Sequence, residues 1–398
     1  MIKKYLSTFI NALIFLFIIF SIMIFPEESF KASLEGLNLW LNVVCPALLP
    51  FFICVEILIG LGVVSFIGSI FKPLMSVAFN VPGEGAFAFV MSIASGYPVG
   101  AKIIASLRMS DQCSKTEAQR MISLCSTSGP LFIIGAVSVG ILKKPQAAAI
   151  LLIAHYLSAI SCGFIMRFYK RNEMSKKDLY ITNPFKELIN YRKTDKRSIG
   201  QLMGDSVKNG VSLILLVGGY IIIFSVISKI IKVTGILTLI SGLIDLIPLI
   251  SIDSNHYIPV VISGLLELTN GIKECAQAYM PDLVKAIMIS FFIGFGGLSV
   301  NAQVSGIIQD TDINFFIYFL MKILQGVLAA IYTLFLNKLG NLPVFNTYSL
   351  YSCYRSLNWY NIIILSIKAV SLLSLFMALL SFTIYMIGFS SRLKNKLN

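Results

Sequence analysis

Charge is what this chain has least of. Of its 398 residues only 13% are Asp, Glu, Lys or Arg, while 57% are apolar, and so small a polar complement cannot coat a soluble globule of this length. Lipid is therefore its main solvent. The short alternation of apolar and polar residues that builds a membrane β-barrel is also missing. The seven cysteines (Cys45, Cys54, Cys113, Cys125, Cys162, Cys275, Cys353) contain no Cys-x-x-Cys pair and mostly sit in or beside apolar runs, which argues against a disulfide framework or structural zinc. No Gly-x-x-x-x-Gly-Lys-Ser/Thr stretch supports direct use of ATP. No His-Glu-x-x-His, Gly-x-Ser-x-Gly or spaced carboxylate pair with a nucleophile supports an intramembrane enzyme. Catalytic residues, metals and cofactors are accordingly not expected.

What the chain does have is long apolar runs: residues 5–25, 43–70, 147–168, 211–231, 315–336 and 362–389. About 20 apolar residues cross the hydrocarbon, and the backbone must satisfy its own polar groups there, so each run predicts a helix. The first follows Lys3 and Lys4 like a signal peptide, yet Phe25-Pro26-Glu27-Glu28 lacks a small-x-small cleavage site and the run is read as a retained anchor. Between Arg167 and Arg197 stand ten basic and four acidic residues, and Lys3, Lys4, Arg392, Lys394 and Lys396 flank the outermost runs. The bias of cations toward the cytoplasm places this linker and both ends inside. These cations border apolar runs and accompany no nucleic-acid-binding motif, so nucleic acid is not an expected partner.

The expected fold class is all-α: a polytopic membrane helical bundle of two repeated halves, each with a Gly/Pro-broken re-entrant segment. The expected organisation is an N-terminal anchor (1–35), a first membrane half (36–168), a basic cytoplasmic linker (169–200), a second half (201–340), and a C-terminal helix with a basic tail (341–398). In the first half the break is Ser95-Gly96-Tyr97-Pro98-Val99-Gly100-Ala101-Lys102. In the second it is Gly294-Phe295-Gly296-Gly297-Leu298-Ser299-Val300-Asn301-Ala302-Gln303. Aligned on Gly96 and Gly296, Lys102 falls opposite Gln303. Glycine permits turns and close backbone approach, and proline removes a donor, so neither segment continues an ordinary helix. Paired interruptions in corresponding halves point to a substrate site at a repeat interface; the alternative is close packing of small residues.

Other polar residues carry two readings each. Glu267, Thr269 and Asn270, within Glu267-Leu268-Thr269-Asn270-Gly271, either bond a cation or polar substrate or end a helix capped by Gly271. Glu56 and His155 are either functional or satisfied packing groups. Lys229, Lys322 and Lys368 are read as snorkelling or facing a polar partner, with Lys322 remote from any break. Ser114-Lys115-Thr116-Glu117 spells a capping box. The candidate substrate-binding residues are Gly96, Tyr97, Pro98, Gly100, Lys102, Glu267, Thr269, Asn270, Gly296, Gly297, Ser299, Asn301 and Gln303.

Several blocks resemble a known family. Gly36-Leu37-Asn38-Leu39-Trp40, Cys45-Pro46-Ala47-Leu48-Leu49-Pro50-Phe51-Phe52, Gly60-Leu61-Gly62-Val63-Val64, Val81-Pro82-Gly83-Glu84-Gly85, the Ser95–Lys102 break, Gly129-Pro130-Leu131-Phe132-Ile133, Glu267–Gly271 and Gly294–Gly297 are similar to the YlbJ (SpoVV) sporulation integral membrane proteins. The resemblance covers most of both halves. It implies a Gate (nucleoside-recognition) fold and movement of dipicolinic acid from mother cell to forespore, through the mother-cell-derived outer forespore membrane. On that implication the partners are a small anion, dipicolinate, and the lipid bilayer, with a homo-oligomer also compatible. Lys102, Arg108 and amide donors at helix starts are the groups expected to offset the anion's charge. A nucleoside or metabolite transporter of the same fold, and a non-transporting scaffold for spore assembly, are the alternatives.

Overall fold

The computed structural model describes residues 2–170, 173, 183–237, 241–242 and 254–338. Among the described residues all regular structure is helical, and five helices are long and apolar enough to cross a membrane: Pro26–Gly60, Ala147–Met166, Ile199–Val233, Asp282–Ile308 and Phe315–Lys338. The protein is thus an all-α, multi-pass membrane bundle. The apolar run 362–389 and the segment 341–398 lie outside the described residues.

Helix α1 (Ile2–Ile24) is followed by α2 (Pro26–Leu39), which passes through a π-helical turn (Trp40–Val44) into α3 (Cys45–Gly60). Pro26 at the first position and Glu27 and Glu28 in the first turn suit a helix start. Residue 35, the expected end of the anchor, lies inside this continuous stretch. The run 43–70 does not cross as one piece, a correction to the sequence reading. Gly62 is left-handed (φ +81°) and α4 (Val63–Leu74) begins anew after it. A Cβ at Gly62 would stand 3.0 Å from the Leu188 carbonyl of α9 (Pro184–Thr194), so the turn closes onto the linker helix.

A capping box at Ser198 and Gln201 starts α10 (Ile199–Val233). It runs antiparallel along α2–α3. Gly36 lies against Ser225, Gly218 against Trp40, Gly210 against Ile53 and Gly60 against Leu202, and such small residues are what let membrane helices approach closely. Trp40 Nε1 also donates to the Ile214 carbonyl at 3.0 Å.

Between these struts and the long helices α8 (Ala147–Met166) and α15 (Phe315–Lys338), four breaks among the described residues come together. Helices α5 (Gly85–Ser95) and α6 (Val99–Met109) part at Gly96. Helix α7 (Lys115–Cys125), started by the expected Ser114–Glu117 capping box, ends in non-helical residues 126–129 before a π-helix, Phe132–Ile141. Helices α11 (Ser254–Leu266) and α12 (Leu268–Gln277) part at Glu267, and α13 (Asp282–Phe295) and α14 (Gly297–Ile308) part at Gly296. The sequence reading found the first and last of these; the middle two were not read as breaks.

Candidate functional site

All four interruptions contribute to the wall of one cavity. Its wall takes Ser95, Gly96 and Tyr97 from the first break, Ser128, Gly129 and Phe132 from the second, Glu267, Leu268 and Thr269 from the third, and Ser299, Val300 and Gln303 from the fourth. Phe51 and Phe52 of α3 and Val217, Tyr220 and Ile221 of α10 also line it.

Backbone meets backbone at two places. A Cβ on Gly96 (φ +73°) would stand 2.6 Å from the Gly129 nitrogen, and one on Gly297 (φ +72°) 2.9 Å from the Leu268 nitrogen. The first break is therefore seated on the second, and the third on the fourth; Ser92 Oγ and Thr127 Oγ1, 2.8 Å apart, add a bond to the first pair. Tyr97 ties the pairs together, its hydroxyl donating to the Ile293 carbonyl at 3.4 Å. Gly296 (φ +84°) lies beside the Tyr97 ring.

Six of the thirteen candidates line the cavity with side chain or backbone: Gly96, Tyr97, Glu267, Thr269, Ser299 and Gln303. Glu267 is buried and caps α12, accepting from Thr269 Oγ1 at 3.0 Å and the Asn270 amide at 2.7 Å. The helix restarts at once, so Gly271 is not a cap but an interior residue pressed against Gly264. Asn270 donates to Ser225 Oγ at 2.6 Å and fastens α12 to α10. Asn301 donates to the Phe295 and Gly297 carbonyls at 3.2 and 2.6 Å and closes the fourth break internally. Gly296 and Gly297 shape that break, Pro98 precedes α6, and Gly100 is packed against the Cys125 carbonyl.

Two expectations about charge are corrected. Lys102 is exposed and outside the cavity, because α6 buries Gly100, Ala101, Ile104 and Ala105 and turns Lys102 to the opposite face. Arg108 is occupied by Asp312 at 2.9 and 3.1 Å and by Asp111 at 2.9 Å; its guanidinium holds the Asp312 carboxyl below the usual carboxylate range.

Lys322, expected to be remote, is completely buried and touches the first two breaks. Its Nζ donates to Tyr97 Oη at 2.5 Å, to the Ser126 carbonyl at 2.9 Å and to Gln325 Oε1 at 2.6 Å, and lies 4.7 Å from the Tyr97 ring centre. The signal in the sequence was Lys322 with Gln325 three residues on, two polar groups on one face of an apolar helix. His155 is also buried; its Nε2 accepts from the Ser128 amide at 3.0 Å, which holds the second break in place. Glu56 accepts from Asn209 at 3.2 Å and Lys229 pairs with Glu28 at 2.9 Å; neither lines the cavity.

The Gate family, described as nucleoside recognition, matches residues 41–171 and so takes in the first two breaks and His155. The sporulation integral membrane protein YlbJ of Bacillus subtilis (strain 168) is 38% identical over 410 aligned residues, covering 98% of each chain. No solved structure matches. With two broken segments inside the Gate match, and a relative aligned from end to end, the chain belongs to the family of the sporulation integral membrane protein YlbJ.

Proposed function

We propose that this protein is a secondary transporter or facilitator that moves a small anion, dipicolinic acid, from mother cell to forespore across the outer forespore membrane. One observation carries the anion: helices α12 and α14 begin at the cavity wall, and the breaks that start α6 and the π-helix Phe132–Ile141 line it as well. Helix starts carry the positive end of the helix dipole, which is the polarity an anion needs at membrane depth, although at α12 the Asn270 amide is already taken by Glu267. Aromatic walls at Phe51, Phe52, Phe132 and Tyr220 suit a planar ring. Dipicolinate itself comes from the family resemblance.

The order of elements supports a repeat in a different register from the Gly96–Gly296 alignment. Strut, break, break and long helix occur as α2–α3, Gly96, residues 126–129 and α8, then again as α10, Glu267, Gly296 and α15. In this register Gly96 answers to Glu267, and the cavity lies where the two copies meet.

The description of the Gate family favours a second cargo, a nucleoside, for the same cavity. Purified protein in liposomes, loaded separately with dipicolinate and with uridine, distinguishes the two. Protein-dependent flux of dipicolinate well above that of uridine is expected. Uridine flux without dipicolinate flux would replace the first reading with the second, and flux of neither would leave the scaffold reading.

A further inference from the structure

The cavity wall carries one carboxylate, Glu267, and no cation. The buried cation Lys322 meets that wall at Tyr97. Lys322 has three N–H donors, and its three acceptors are a tyrosine hydroxyl, a backbone carbonyl and an amide oxygen. Among the described residues no carboxylate pairs with it. An ammonium without an anion inside a span is costly, and three neutral acceptors offset only part of that cost. Of the three, only Tyr97 lines the cavity, and the ammonium contacts both its hydroxyl and its ring face.

A second observation bears on the same spot. Gln325 Nε2 and Ser128 Oγ are buried donors without a hydrogen-bond partner, the first on the residue that bonds Lys322 and the second on the cavity wall. Buried donors are ordinarily satisfied, and both would gain an acceptor from a carboxylate arriving beside Lys322. Glu267, whose two oxygens accept from Thr269 and Asn270, makes no ion pair with Lys322.

We infer that Lys322 is the charge-selecting residue of the transport site: a carboxylate of the cargo takes the place of the Tyr97 hydroxyl on the Lys322 ammonium, and the Tyr97 side chain is the shutter that covers this charge in the empty cavity. The inference rests on the anion-transport reading. It gives the cavity a means of preferring an anion over a neutral molecule of the same shape.

The test is calorimetric binding to the full-length protein in phosphatidylglycerol nanodiscs, with dipicolinate, its neutral diamide and uridine as probes. Wild-type protein is expected to prefer dipicolinate over the diamide by at least about tenfold. Lys322→Gln is expected to bring the two within about threefold, and Lys322→Arg to restore most of the preference, since charge is what selects. Tyr97→Phe removes the competing hydroxyl and is expected to raise the preference above wild type. A wild-type preference retained in Lys322→Gln overturns the inference while leaving anion transport standing. Wild-type protein that binds uridine or the diamide but not dipicolinate, or binds none of the three, overturns the anion reading and the inference with it. Should Lys322→Gln fail to reach the membrane, Tyr97→Phe decides: a lost preference would make the tyrosine hydroxyl the selecting group.

Discussion

Single residues in this protein differ most in how much room their backbone leaves. Gly100 has none: an added Cβ would stand 1.9 Å from the Cys125 carbonyl oxygen, which is itself backbone and cannot swing away. Gly204, in α10, has nothing within 4 Å. Gly100→Ala is therefore expected to destabilise by about 3 kcal/mol through overpacking and to lower membrane abundance. Gly204→Ala is expected to be neutral or to stabilise by up to about 1 kcal/mol through helix propensity. Thermal melting in detergent and immunoblotted membrane fractions check both. Gly96 and Gly296 were legible in the sequence, because a glycine close to a proline or next to another glycine interrupts an apolar run visibly. Gly100 was legible as a special position, but its neighbour Cys125 was not. Lys322 was the least legible, since its contact with Tyr97 bridges 225 residues of chain and no spacing rule reaches that far.

Between elements one fully buried fastening is Arg120 of α7. Buried to 1% exposure, its guanidinium donates to the carbonyls of Asn80, Tyr169, Lys170 and Glu173 at 2.8 to 3.2 Å. Three of these follow the C-terminus of α8, where carbonyls lack intrahelical partners. Thr116 adds a bond from α7 to the Glu173 side chain. Lysine is a point charge and cannot fan out over four carbonyls, so Arg120→Lys is expected to be nearly as damaging as Arg120→Met. Each should remove most of the protein from the membrane fraction, as unsatisfied buried acceptors cost about 1–3 kcal/mol apiece. Normal abundance of Arg120→Lys would show that one cation suffices. Long apolar helices were readable from composition, whereas the break at Glu267 was not. There the helix restarts without glycine or proline, through a carboxylate that accepts the next amides, and the same residues spell an ordinary helix end.

Across the whole molecule, the two ends of the paired struts carry different charge. At the end where α2 begins and α10 stops, cations are matched: Lys31 with Glu27, Lys229 with Glu28, Lys232 with Glu274 and Lys273 with Glu35. At the other end lies the described part of the linker, with Lys186, Arg192, Lys193, Lys196 and Arg197 against Glu187 and Asp195. On the positive-inside bias the excess is expected on the cytoplasmic side, as the sequence reading has it, although the antiparallel pairing of the struts was not visible there. In a cysteine-free background, single cysteines at Glu27 and Lys193 are expected to react from opposite faces of the membrane, the second from the cytoplasm. Reaction of both from one face would contradict the crossing of α2–α3. The struts also act as a gauge. At 1.5 Å per residue, the 35-residue helix Ile199–Val233 is about 52 Å long against a hydrocarbon slab of about 30 Å. Its apolar stretch, residues 211–231, fills the slab unaided, while Gln201, Asp205 and Lys208 extend beyond it on the linker side. Val217, Tyr220 and Ile221 then hold the cavity near mid-depth. Bilayer thickness thus becomes a structural variable: a thicker slab would draw Lys208 toward hydrocarbon and a thinner one would tilt the strut, so the lipid sets how deep the breaks lie beneath either face.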